Sequence, residues 1–396
     1  MNMQPRRVAA LSILTFGLVS LLGDIIYEGS RSVISPFLLS FGASAFIVGL
    51  ILGLGEFFGY ALRMIFGILS DKTRSYWTIF IIGYSLLIAV PLLALAGSWP
   101  LAMVLVLIER LSKAVRSPAR DTVFSYATKG IGSGKAFGIH ELLDQIGAIT
   151  GPAIVAATLF ATGENFSAAF SALFIPYLLM IIMLFLIYLR IRPLITIPTV
   201  SEKRSTFKEL PSEFIIYAIS VSLNAMGLVS IGLILYRASP ETLPWLVALI
   251  YLLAQTVDAA AAPLAGYLYD RIGRKLLYLP FALSVFPSTL IFMPGLEFVI
   301  LSAIFFGIIF GMHESIYRAA VTDLTPIEVR GSAYGVFHTF YGFGFLVSGA
   351  IFGFLMDNNL AQIAVLFSIS AQAAAMILLR KTLRSHRLSP MTGPAS

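Results

Sequence analysis

Asp24, Glu28 and Asp144 lie inside apolar runs long enough to cross a bilayer. An ionisable group at that depth is costly, and it marks a solute pathway or a proton relay. Asp24 and Glu28 stand four residues apart, so on a helix they share one face with the same sign of charge. A purely structural role does not favour that arrangement. A carboxylate in a low-dielectric site loads and releases a proton as its exposure changes. Asp24, Glu28 and Asp144 are therefore the proton-coupling candidates, with Glu141 and Glu56 behind them.

Other polar groups within apolar runs are Tyr27, Arg31, Asn224, Asp258, His313, Glu314 and His338, all candidates to line a cavity. Glu56 and Arg63 fall on one helical face two turns apart, where an ion pair and a transport role fit equally. Asp258 and Glu314 allow the same two readings. His313 and His338 are read as packing or hydrogen-bonding residues. With no cysteine and four histidines in all, neither a metal nor another cofactor is expected. No nucleophile stands beside a base near a membrane face, so the chain is not read as an enzyme.

The elements that position these groups follow from composition. Hydrophobic residues make up 58% of the 396, charged residues only 12%, and the mean hydropathy is +0.90. A soluble domain needs about twice that charge to cover its surface. The fold class is all-α integral membrane. At about 20 apolar residues per crossing, twelve spans are expected. Six lie near 8–38, 46–69, 76–97, 100–124, 135–160 and 166–190. Six more lie near 212–237, 244–268, 276–293, 295–319, 331–356 and 360–380. The N-terminal run continues into Asp24 and Glu28 without a small-residue cleavage site, so it is read as a retained helix. These spans give a six-helix bundle over 1–192, a polar linker over 193–211, a second bundle over 212–380 and a basic tail over 381–396.

The formal charge of +7 belongs to short loops between apolar runs and not to a nucleic-acid face. Arg6, Arg7, Lys72, Arg74, Arg116, Lys129, Lys135, Lys203, Arg204, Lys208, Arg271, Arg274, Lys275, Arg330, Lys381 and Arg384 fall on the side shared by both termini. By the positive-inside rule both termini are cytoplasmic and the span count is even. Spans three, six, nine and twelve carry no ionisable residue in their interiors, which suits them to lipid. The other spans have a side that must avoid it, and a water-filled central cavity is the simplest place for that side to point.

An internal repeat supports this organisation. Gly67 to Lys72 follows the second span and Gly266 to Arg271 the eighth, 199 positions later. Ala136-Phe137-Gly138 opens the fifth span and Ala333-Tyr334-Gly335 the eleventh, 197 positions later. One six-helix unit is used twice, as in many secondary transporters.

These residues resemble the major facilitator superfamily. Gly266, Leu268, Asp270, Arg271, Gly273, Arg274 and Lys275 match its cytoplasmic loop signature at every defined position. The first copy keeps Gly67, Leu69, Asp71 and Lys72 but loses the later glycine and the second basic pair. The resemblance implies that Asp71 and Asp270 act as latches near helix ends. Gly147, Gly151 and Pro152 resemble the core of the antiporter signature, without its trailing glycines. Physically, Gly147 and Gly151 allow close packing and Pro152 frees a carbonyl, which makes a bendable gate. Arg110, followed by Lys113, resembles the family's buried arginine motif, with Ala114 in place of its final glycine.

The resemblance implies two six-helix bundles and a cavity opening alternately to either side. The expected function is export of a small organic solute in exchange for protons, by a monomer in the lipid bilayer of a cell membrane. A proton-coupled importer uses the same residues and differs in gradient direction, and a lipid flippase also fits the fold.

Overall fold

The structure is a computed structural model describing residues 5–128, 133–195 and 210–385. Most of the expected linker (196–209) and tail (386–396), with Lys129, Lys203, Arg204 and Lys208, lie outside the described residues.

Helices fill both halves. The first holds α1 (Pro5–Arg31), α2 (Ile34–Ser40), α3 (Ala45–Thr73), α4 (Tyr76–Ser85), the single turn α5 (Ala89–Leu92), α6 (Trp99–Ala127), α7 (Ser133–Thr162), α8 (Phe166–Ala172) and α9 (Phe174–Arg190). The second repeats the order with α10 (Ser212–Gly227), α11 (Ile231–Ala238), α12 (Pro244–Ile272), α13 (Tyr278–Leu283), α14 (Val285–Leu290), α15 (Leu296–Met312), α16 (Arg318–Leu324), α17 (Arg330–Asp357) and α18 (Ala361–Ser385). Each half packs its own apolar core, and the halves meet along α3 against α17 and α7 against α12. The α9 face carrying Ile175, Leu178, Ile182, Phe185 and Leu189 is exposed, as is Ile363, Leu366, Ile369 and Ile377 on α18. Those are two of the helices expected to face lipid.

Among the described residues, ten stretches are long and apolar enough to cross a membrane, against the twelve expected. Both differences have a local cause. Pro244–Leu290 is continuous over 47 residues, about 70 Å of helix against a hydrocarbon core of about 30 Å, and it turns at Gly273. The 29-residue helix α6 carries Glu109, Arg110, Lys113, Arg116, Arg120 and Asp121, too many charges for a lipid-exposed span. Arg116, expected on the side of the termini within the span near 100–124, is buried within α6 and donates to Ser112 Oγ at 2.7 Å.

Proline and glycine break the first span of each half at equivalent places. Pro36 has no N–H and its ring would clash with the Ser32 carbonyl, so α1 cannot run on into α2. Between α10 and α11, Leu228 turns to extended geometry and strands backbone groups in the core, where each needs a partner. Gly227 O accepts from Ser288 Oγ (3.0 Å) and Ser368 Oγ (2.7 Å), Leu228 O accepts from Ser348 Oγ, and Val229 N donates to Ser288 Oγ (2.9 Å).

The two loop motifs end their helices differently. Gly273 sits at φ 70°, ψ −159°, a region open to glycine alone. Arg74, at the matching place, takes the ordinary left-handed conformation (φ 56°, ψ 16°), which other residues tolerate. The first copy can therefore lose its glycine. Gly273→Ala is expected to destabilise the protein by about 1–3 kcal/mol, read as a lower melting temperature in detergent.

Candidate functional site

Tyr27 on α1 gathers three cations. Its hydroxyl accepts hydrogen bonds from Arg31 Nη1 (2.6 Å), Arg110 Nη1 (2.7 Å) and Lys113 Nζ (3.3 Å). The same three cations lie 4.3–5.0 Å from the ring centroid. Helical spacing explains the convergence: Tyr27 and Arg31 are one turn apart on α1, and Arg110 and Lys113 share a face of α6. Glu56 on α3 closes the group. Its Oε1 accepts from Arg31 Nη2 and lies 3.5 Å from Arg110 Nη1. Glu109 Oε2 is 3.3 Å from Arg110 Nε. Tyr27, Glu109 and Arg110 are buried, so this charge is withheld from lipid.

The second half reaches this group through Tyr251 on α12, whose hydroxyl donates to Glu28. Glu28 Oε1 is also 3.8 Å from Arg31 Nη1. Above them opens a cavity of about 500 Å³, part of it continuous with solvent, lined by both halves. Arg31, Glu56 and Arg110 form its charged wall, and Phe306, Phe310 and Phe345 face them from the second half.

At the end opposite the basic loops the halves are tied together. Asp357 at the end of α17 accepts from the backbone of Ala45 (2.8 Å) and Phe46 (2.9 Å), capping the free N–H groups of α3. Tyr236 donates to Ala43 O at 3.2 Å, and Trp245 N donates to Glu164 at 3.3 Å. Gly49 and Gly349 bring α3 and α17 into backbone contact there: a Cβ on Gly49 would stand 2.8 Å from the Gly349 carbonyl carbon. The basic end differs, with Asp71, Lys72, Asp270 and Arg271 all exposed.

A second charged group sits between α1, α6 and α7. Arg120 donates to Ser20 Oγ and Asp121 Oδ1, both at 2.9 Å, and lies 3.9 Å from Asp144 Oδ2. His140 Nε2 is 3.7 Å from the same oxygen, while Asp144 Oδ1 is buried without a hydrogen-bond partner. Asp24 is an electrostatic neighbour of Asp144, Lys113, Glu28 and Arg116. Gly147 and Gly151 make this meeting possible, since Cβ atoms on them would strike the Leu21 and Ile25 carbonyls of α1. A Cβ on Gly147 would also stand 3.0 Å from Asp24 Cβ.

Arg110, expected as a buried arginine of the fourth span, sits in the central wall with its guanidinium on Tyr27. Glu56 pairs with Arg31 and Arg110 rather than Arg63, which donates instead to Gly59 O (2.9 Å) and lies over the Tyr60 ring. Asn224 does not line the cavity. It donates to Ser284 Oγ (3.0 Å) and Gln372 Oε1 (2.7 Å), and accepts from the Tyr317 hydroxyl (2.8 Å), in a fully buried network. His313 bonds Tyr341 through Nδ1 at 2.9 Å, and His338 stacks on Tyr60 across the two halves. Asp258 is buried with Oδ1 unpaired, and its electrostatic neighbours are Glu314, Glu28 and the exposed Glu141. Glu314 neighbours Arg318.

Of the latch residues, Asp71 accepts from Tyr76 Oη at 2.9 Å. Arg271 lies over the Tyr267 ring. Gly67 and Gly266 face Pro118 and Ser315 respectively, equivalent neighbours in the two halves. Gly273 and Arg274 form the turn after α12, and Pro152 lies inside continuous α7. Tyr251 and the three phenylalanines were missed, since aromatic residues in an apolar span carry no signal that separates a cavity wall from a core.

A family model of the Major Facilitator Superfamily matches residues 8–238 and 214–393. An uncharacterized protein of Mycobacterium tuberculosis is 34% identical over 386 residues, covering 96% of this chain and 94% of its own. An uncharacterized MFS-type transporter of Methanocaldococcus jannaschii is 26% identical over 411 residues, covering 96% of each. The crystal structure of the nucleoside transporter NupG is similar at a TM-score of 0.71 and 15% identity, over 96% of this chain and 100% of that one, a likeness of fold.

Proposed function

This chain belongs to the major facilitator superfamily of membrane transporters, and from that premise we propose a twelve-span secondary transporter that exports a small organic solute in exchange for protons. Twelve spans result when Pro244–Leu290 is divided at Gly273 and α6 is added to the other stretches. Within α6, Glu109, Arg110 and Arg116 point into protein rather than lipid, which is what allows so polar a helix to cross. An even count puts both termini on one face, and the basic loops make that face cytoplasmic. The chain works as a monomer in the cell membrane.

The observation that carries this reading is the charged cavity walled by both halves, which are tied together at the end opposite the basic loops. Rocking the halves about that cavity exposes it to either side in turn. Asp24 and Asp144 are the proton carriers, held against each other by the glycine-mediated contact of α1 with α7. They share one site with Lys113, Arg116 and Arg120, whose positions move with α6.

Compound accumulation in an efflux-deficient host, with and without a protonophore, tests this. Lower accumulation that the protonophore abolishes is expected for at least one class among hydrophobic cations, weak acids, siderophores and sugars. Raised accumulation under the same control reverses the direction. In Asp144→Asn, exchange against a pH gradient should fall by roughly tenfold or more, the effect of about 1.4 kcal/mol lost from a coupled step. Full-rate exchange by that variant removes Asp144 from the mechanism.

A further inference from the structure

The central cavity is asymmetric in chemistry. Its first-half wall presents Arg31, Arg110 and the single carboxylate Glu56, one negative charge set against two positive. Its second-half wall carries no formal charge among the described lining residues: Ser230, Ile231, Gly232, Phe306, Phe310 and Phe345. Both guanidinium groups are anchored from behind by the Tyr27 hydroxyl, which fixes their position without neutralising them. Lys113 adds a third positive charge on the same oxygen. Two further carboxylates stand outside the lining: Glu28 accepts from Tyr251 and lies 3.8 Å from Arg31 Nη1, and Glu109 lies 3.3 Å from Arg110 Nε. Arg110 is 3% exposed, and its Nε lacks a hydrogen bond of proper geometry.

We infer that this cavity binds a small organic anion with a flat apolar body, its carboxylate on Arg31 and Arg110 and its body against Phe306, Phe310 and Phe345. Planar guanidinium forks match a carboxylate, and two of them hold it more tightly than one. The aromatic wall supplies the apolar contact that most small-molecule sites rely on. Glu56 is the internal stand-in for this ligand, occupying with Oε1 the position the substrate carboxylate takes. Substrate and Glu56 compete for the same two cations, so a proton on Glu56 releases them to the substrate. Because the anion is held by one half and the body by the other, the bound ligand draws the halves together.

This inference deepens the transport reading and rests on it for its physiological meaning, but binding is measurable without flux. The full-length protein in detergent is titrated with benzoate, phenylacetate, benzylammonium and benzyl alcohol, and with acetate as an anion lacking an apolar body. Benzoate and phenylacetate should raise the melting temperature by several degrees, and the amine, the alcohol and acetate should not. Glu56→Gln, nearly isosteric, should bind benzoate about tenfold more tightly because the internal competitor is gone. Arg31→Gln should lose the benzoate response. Comparison of the ligand classes on the unaltered chain stands even where a variant fails to fold.

Stabilisation by benzylammonium equal to that by benzoate overturns the anion assignment. So does an absence of any response to the aromatic acids, or weaker benzoate binding by Glu56→Gln. Export that persists when the acids do not bind leaves the transport reading intact and removes the substrate class alone. Binding of the acids without gradient-driven flux does the reverse.

Discussion

Arg110→Leu is expected to destabilise the protein by about 3–5 kcal/mol, as removal of one partner from a buried ion pair does. Arg110 is 3% exposed and faces Glu109, Glu56 and the Tyr27 hydroxyl. Its loss leaves Glu109, itself 4% exposed, as an uncompensated charge inside the bundle. Glu56 suffers less, because Arg31 still pairs with it. The measurement is thermal unfolding in detergent, followed by a double-mutant cycle with Glu109→Gln. The second change should recover part of the loss, with a coupling in the range of about 0.5–3 kcal/mol for residues in contact. Strictly additive effects would show that Glu109 and Arg110 do not share their burial.

Gly49→Leu is expected to hold open the end that this structure shows tied together. The Gly49 Cα faces the Gly349 backbone, Gly53 faces Leu346 Cα at 2.9 Å from a built Cβ, and Gly353 faces Ala45 in the same seam. A leucine there cannot be accommodated by a side-chain shift, because its obstacle is backbone, so overpacking of about 1–3 kcal/mol falls on the closed state. The open state, in which α3 and α17 part at this end, escapes that cost. A penalty near 1.4 kcal/mol moves the population about tenfold. The chain contains no cysteine, so a single Ser230→Cys reporter in the cavity wall is read without background. Labelling by an impermeant maleimide from the side opposite the basic loops should rise by roughly that tenfold factor in Gly49→Leu. Unchanged labelling would falsify the role of this seam as a closure contact.

Fold and cavity differ in how much of them was legible from the residues. Hydropathy and spacing are local properties of a chain, and they carried the helical class, the division into halves and the repeat near 197–199 residues. They also marked Gly147 and Gly151 as close-packing positions, where the structure sets α7 against the backbone of α1. Mean hydropathy taken alone passes over α6 as a crossing helix. The charges of α6 are turned towards Tyr27 and Glu56, and a hydropathy window has no knowledge of which way a side chain faces. The same limit explains Pro244–Leu290, where a turn at Gly273 divides one apolar stretch.

Charged residues in apolar runs were visible from the sequence alone, because the cost of burying charge depends on residue type and depth. Their partners were not. Tyr27 meets Arg110 across 83 positions and Glu28 meets Tyr251 across 223, and no period in the chain encodes such distances. Asn224 shows the converse: an amide in an apolar helix promised a cavity, yet Ser284, Tyr317 and Gln372 satisfy it within the core. The sequence by itself determined that this protein buries charge within a membrane, and in which helices. Tertiary structure decided which charges neutralise one another and which face the cavity, because pairing is set by how helices from distant parts of the chain pack.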